Sequence, residues 1–110
     1  MPADAVGDRL AWFRRLADEH PDEPRARFSL ANELLKRGDD TEAIEHLRAY
    51  LDLAEDEGNA WGKLGDALAR TGDADAAADA YLAGIEQAIK HGHPGMADEF
   101  QQAVEALPDA

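Results

Sequence analysis

The feature that most constrains the fold of this chain is a sequence repeat with a period of 34 residues, in which Gly38 and Gly72 occupy equivalent positions. A low-complexity tract would not keep this register, so the period indicates two copies of one structural unit. Identical residues recur in register as the pairs Leu30 and Leu64, Leu34 and Leu68, Gly38 and Gly72, Asp39 and Asp73, Ala43 and Ala77, and Ala49 and Ala83.

Each copy has the pattern of two helices joined by a tight turn. The stretch "RARFSLANELLKR" spaces its apolar residues as one face of a helix does, and Gly38 then ends it as a C-cap. Asp39 is placed to cap the next helix, with Glu42 three residues on as in a capping box. In the second copy Asp73 repeats the cap, while an alanine replaces the glutamate.

Two segments have the residues but not the pattern of a metal site. Asp73 and Asp75 begin "DADAAADA", but Ala77 stands where a calcium loop needs its third ligand. His91 and His93 are spaced closely enough to ligate zinc, although Gly92, Pro94 and Gly95 favour a polar turn between helices. We therefore predict helix capping and a turn at these places, with no bound metal and no cofactor.

The charge balance limits the classes of partner. The 110 residues contain 24 acids and 11 bases, for a net charge of −13, and no cysteine. Phosphate backbones and anionic lipids repel such a chain, so we expect neither nucleic-acid nor membrane binding. The acid excess with only three lysines also favours a halophilic origin, in the salt-rich cytoplasm of a salt-adapted prokaryote, where ions screen self-repulsion. An ordinary acidic cytoplasmic protein is the alternative.

The second copy resembles the tetratricopeptide repeat, a helix–turn–helix unit with the pattern Trp-x2-Leu-Gly-x2-Tyr, Ala-x3-Phe and then Pro. It departs from that pattern at Leu68, where Tyr is usual, and at Ile89, where Pro is usual. The first copy lacks both the Trp and the Pro. The matching residues are Trp61, Leu64, Gly65, Ala77 and Tyr81, and in the first copy Leu30, Ala31, Leu34, Ala43 and Leu47.

The resemblance implies an all-α chain of about six antiparallel helices, a short α-solenoid. The register extends upstream to Phe13 and Pro21 and downstream to a helix with Phe100 and Leu107 on one face. We expect a single domain over 1–110, because about three units are needed to bury a continuous core. Its parts would be a half-repeat helix at 4–20, repeat 1 at 24–57, repeat 2 at 58–91 and a capping helix at 95–107.

The resemblance also implies a non-enzymatic module that presents a concave helical groove to a peptide or helix of a partner protein. The family's chaperone clamp is not expected, because Phe28 stands where that clamp has a Lys. A self-assembling structural protein, joined through its terminal half-repeats, is the alternative function. The predicted groove has Phe28 and Leu35 as its apolar anchors. The predicted groove residues lie on the first helix of each copy and are Arg25, Phe28, Asn32, Leu35, Lys36, Asn59, Lys63, Asp66 and Arg70.

Overall fold

The computed structural model describes the backbone of residues 5–108 and the side chains of residues 9–108, and its secondary structure is entirely helical. This confirms the predicted all-α class with about six helices. Position 4, the predicted start of the first helix, lies outside the described residues. The helices are α1 (Ala5–Glu19), α2 (Pro24–Lys36), α3 (Asp40–Leu53), α4 (Asn59–Arg70), α5 (Ala74–Lys90) and α6 (Pro94–Ala106).

The two glycines predicted to stop helices do so in the same way. Gly38 and Gly72 have φ of 79° and 90°, the left-handed region in which glycine meets no Cβ penalty. The amide of Asp39 then donates to the carbonyl of Leu34 at 2.9 Å, and the equivalent bond recurs after Gly72. Each turn therefore closes with the hydrogen-bonding pattern of a Schellman motif.

The two aspartate caps differ. The Asp73 carboxylate accepts from the Ala76 amide at 3.1 Å, as predicted. Asp39 occupies the N-cap position of α3 but its side chain makes no capping hydrogen bond, so the predicted capping box is wrong. Glu42 forms an ion pair with Arg14 of α1, which draws its carboxylate away from the start of α3.

The chain divides into two compact units, Met1–Ala54 and Glu55–Ala110. Unit 1 contains α1 to α3, and α2 packs against both of the others. Its core is aliphatic, with Leu30, Leu34 and Leu47 fully buried. Leu10, Phe13 and Leu16 of α1 pack against the buried cluster. The single-domain assignment over 1–110 stays a prediction.

Unit 2 contains α4 to α6, and α5 packs against both of the others. Glycines allow its helices to approach closely. A Cβ on Gly65 would lie 2.6 Å from the Tyr81 ring, and one on Gly62 would lie 2.5 Å from the Phe100 ring. A Cβ on Gly84 of α5 would lie 2.9 Å from the same Phe100 ring. The Phe100 ring of α6 thus fills the space that Gly62 and Gly84 leave.

The structure contains no membrane-spanning candidate among its described helices, since none combines the necessary length and apolarity.

Candidate functional site

The predicted groove residues of α2 fall into two groups. Arg25, Asn32 and Lys36 lie at i, i+7 and i+11, so they share one side of the helix, which we name the α2 face. Arg25 and Lys36 are exposed and Asn32 is half-buried. The α2 face therefore presents two cations and an amide.

The two predicted apolar anchors of α2 take part in packing within unit 1. The Phe28 ring lies 4.7 Å from the Tyr50 ring of α3, centroid to centroid, with the planes tilted by 31°. Leu35 packs against the buried cluster that includes Leu30 and Leu34. Both side chains are half-buried, so each keeps some accessible surface. Their role as anchors for a ligand stays a prediction.

The predicted residues of α4 lie together on one side of that helix. Asn59, Lys63, Asp66 and Arg70 are spaced at i, i+4, i+7 and i+11, and we name them the α4 face. All are exposed except Lys63, which is half-buried. The Tyr81 hydroxyl of α5 donates a hydrogen bond to Asp66, so this carboxylate has a fixed position. Burial and this bond together raise the pKa of Tyr81 above its ordinary value.

The two histidines at the turn between α5 and α6 each meet a carboxylate. His93 Nε2 lies 2.6 Å from Glu57 Oε1, and His91 Nε2 lies 3.2 Å from Glu55 Oε2. The hydrogen bond from His93 lowers the pKa of Glu57. Among the described residues, no three side chains of His, Cys, Asp or Glu converge as a metal site would require.

Sequence reasoning missed the ion pairs that join α1 to the rest of unit 1. Arg9 Nε lies 2.8 Å from Glu33 Oε1, and the Glu33 side chain is only 7% exposed. Arg14 pairs with Glu42, with a second contact from Nη2 to Oε1 of 2.8 Å. These hydrogen bonds lower the pKa of Glu33 and of Glu42. The pairs join residues more than twenty positions apart, so local spacing gave no signal for them.

The comparison with protein families agrees with the repeat and the fold. A family described as "Tetratricopeptide repeat" matches residues 10–58 and 28–91, which together span most of the chain. The chain belongs to the tetratricopeptide repeat family. No curated protein matches this chain significantly.

Membership in the tetratricopeptide repeat family confirms the resemblance drawn from Trp61, Gly65 and Tyr81. Tetratricopeptide repeats are generally protein-interaction modules, which is the coarse class predicted for this chain. The α2 face and the α4 face occupy the first helix of each repeat. As binding surfaces they stay predictions.

Proposed function

We propose that this chain is a non-catalytic protein-interaction module in which the α2 face and the α4 face each bind an acidic segment of a partner protein. One observation carries the proposal. Of the 11 bases in a chain of net charge −13, four belong to these two faces, and the faces as defined include one acid. The bases are Arg25, Lys36, Lys63 and Arg70, and the acid is Asp66.

The charge pattern makes the two faces attract acidic peptides, whereas the rest of the surface repels them. An acidic peptide is repelled by most of this protein and attracted where cations concentrate, which favours approach to the α2 face and the α4 face. The amides of Asn32 and Asn59 supply hydrogen bonds of either polarity to a peptide backbone. Arginine and lysine at the same faces provide donors for carboxylates.

Binding to an arrayed peptide library of varied charge tests this proposal. Acidic peptides should be selected, and the charge reversals Lys36→Glu and Arg70→Glu should each weaken their binding. Arg48→Glu is the matched control, because Arg48 is an exposed base on α3 and belongs to neither face. Equal losses in all three variants would show that net charge, rather than these faces, governs binding.

Self-assembly is a second candidate, favoured by one feature of α1. Trp12 is 52% exposed on this helix, although tryptophan is usually well buried. A second copy covering it would bury a large aromatic ring. Sedimentation velocity over a range of concentrations tests this, since a mass that rises for the parent and not for Trp12→Ala would support assembly. A constant monomer mass would contradict it.

We also propose that the protein works in a salt-rich cytoplasm, on the strength of its acid excess. Repulsion among 24 acids is relieved as salt screens it, so the melting temperature should rise with added KCl. Thermal melts across KCl concentrations would contradict the proposal if the melting temperature fell or stayed constant.

A further inference from the structure

Helix α5 carries an apolar stripe that its own unit leaves partly exposed. Ala78, Leu82, Ile85 and Ile89 lie at i, i+4, i+7 and i+11, so they share one side of the helix, and we name them the α5 stripe. Leu82 is 51% exposed and Ile89 is 65% exposed. Ala78 and Ile85 are half-buried. Single exposed apolar residues are common, but four in helical register form a continuous surface.

The core of unit 2 uses another side of the same helix. The residues of α5 that are buried are Ala77, Ala80, Tyr81, Gly84 and Ala88. They pack towards α4 and α6, as the contacts of Gly65 with Tyr81 and of Gly84 with Phe100 show. Leu82 and Ile89, the two exposed residues of the α5 stripe, are therefore not needed for the packing of unit 2, which would tolerate polar residues at both positions.

An acidic edge runs along the α5 stripe. Asp75, Asp79 and Glu86 are all exposed and lie on the side of the stripe that faces away from the buried residues. Lys90 lies at the end of the same helix, and its Nζ lies 3.5 Å from Glu55 Oε1. The helix thus presents apolar side chains beside a row of negative charge.

We propose that the α5 stripe binds a cationic amphipathic helix of another protein. Its apolar residues would lie along Leu82, Ile85 and Ile89, and its Lys or Arg side chains would face the acidic edge. Apolar anchors at i, i+3, i+4 and i+7 are how amphipathic helices bind surfaces of this kind. This partner is opposite in charge to the one proposed for the α2 face and the α4 face, so the two proposals stand separately.

Charge complementarity selects this occupant over the two obvious others. A second copy would bring another chain of net charge −13 against the acidic edge, and α5 against α5 would oppose like charges. An anionic lipid surface would meet the same repulsion. A cationic helix gains from both the apolar stripe and its edge.

The probe is a synthetic helical peptide with leucines at i, i+4, i+7 and i+11 and lysines flanking them, titrated into the full chain by fluorescence anisotropy. The matched control peptide has glutamates in place of the lysines. The lysine peptide should bind, its affinity should fall as KCl is added, and the glutamate peptide should not bind.

Protein variants locate the binding on the stripe. Leu82→Gln with Ile89→Gln should weaken binding of the lysine peptide about tenfold or more, as truncation of central anchors does. Leu53→Gln is the control, since Leu53 is an exposed leucine (39%) in unit 1. Asp79→Asn with Glu86→Gln should reduce both the affinity and its salt dependence, whereas Asp98→Asn with Glu99→Gln on α6 should leave both nearly unchanged. Far-UV circular dichroism verifies that each variant is folded.

Four results would overturn the proposal. They are no measurable binding of the lysine peptide, equal binding of the two peptides, binding that survives Leu82→Gln with Ile89→Gln, and concentration-dependent self-association of the parent that this double variant abolishes. The last result would assign the α5 stripe to a second copy of the chain.

Discussion

Unit 1 holds a stacked aromatic pair, Phe28 and Tyr50, at two positions where unit 2 carries Gly62 and Gly84. The positions are equivalent, since each differs from its counterpart by the 34 residues of the repeat. In unit 1 the two rings fill the space between α2 and α3. In unit 2 that space receives Phe100, a ring supplied by α6. The equivalent space is therefore filled by side chains of the repeat itself in unit 1 and by a side chain of a neighbouring helix in unit 2.

The ionic contacts differ in the same manner. Glu33 and Glu42 pair with Arg9 and Arg14 of α1, whereas their equivalents in unit 2, Ala67 and Ala76, carry no charge. The helix outside the repeat pair is α1 in unit 1, where it packs on α2, and α6 in unit 2, where it packs on α5. These differences between the two copies therefore lie at residues that contact the additional helix of one unit.

Phe100→Ala is expected to have the largest effect on stability. Removing the ring leaves the space above Gly62 and Gly84 empty, and the free energy of unfolding should fall by about 3 kcal/mol. Phe28→Ala should cost less, about 2 kcal/mol, because Tyr50 still covers part of the space. Urea unfolding of the two variants provides the measurement. A larger loss for Phe28→Ala would contradict the assignment of Phe100 as the ring that closes unit 2.

The helix caps should give the next largest difference. Asp73→Ala removes a hydrogen bond to the Ala76 amide and should cost about 1 kcal/mol. Asp39→Ala is the matched variant, and it should cost only a few tenths of a kcal/mol because Asp39 makes no such bond. The same urea experiment compares them. Equal costs would mean that both aspartates act through the helix dipole alone.

Unfolding free energy plotted against pH should fall at an acid limb and at an alkaline limb, with little change near neutrality. The folded-state pKa of Glu42 is lowered by the hydrogen bond from Arg14, so its contribution to stability is present above its unfolded pKa and is lost as pH falls through the folded value. The pKa of Tyr81 is raised by burial and by Asp66. Its contribution is complete below about pH 10 and is lost as pH rises through the folded value.

Substitution separates these two limbs of the pH profile. Glu42→Gln should flatten the acid limb of unfolding free energy against pH and leave the alkaline limb in place. Tyr81→Phe should do the reverse. Part of the acid limb should survive Glu42→Gln, because the pKa values of Glu33 and Glu57 are also lowered by their partners. An acid limb unaltered by Glu42→Gln would show that its pair with Arg14 contributes nothing.

Helices and turns were predictable because their signals are local. Gly38, Gly72 and Asp73 act through neighbours within a few residues, and the period of 34 repeated each signal. The ion pairs of α1 were not predictable, since the many acids offered no way to choose Glu33 and Glu42. The contacts of Phe28 and Leu35 also depend on packing between helices. One sequence signal could have predicted the role of Phe100. Gly62 and Gly84 stand at the positions of Phe28 and Tyr50 in the first copy, so a ring from elsewhere must fill the space between the helices.

A double-mutant cycle between Gly62 and Phe100 tests most directly whether the two copies fill one space from different helices. With Phe100 present, Gly62→Ala places a Cβ where the ring lies and should destabilise the chain by about 1–3 kcal/mol. In the Phe100→Ala background the same change should be neutral, or stabilising by up to about 1 kcal/mol from the helix propensity of alanine. Equal effects in the two backgrounds would contradict the account.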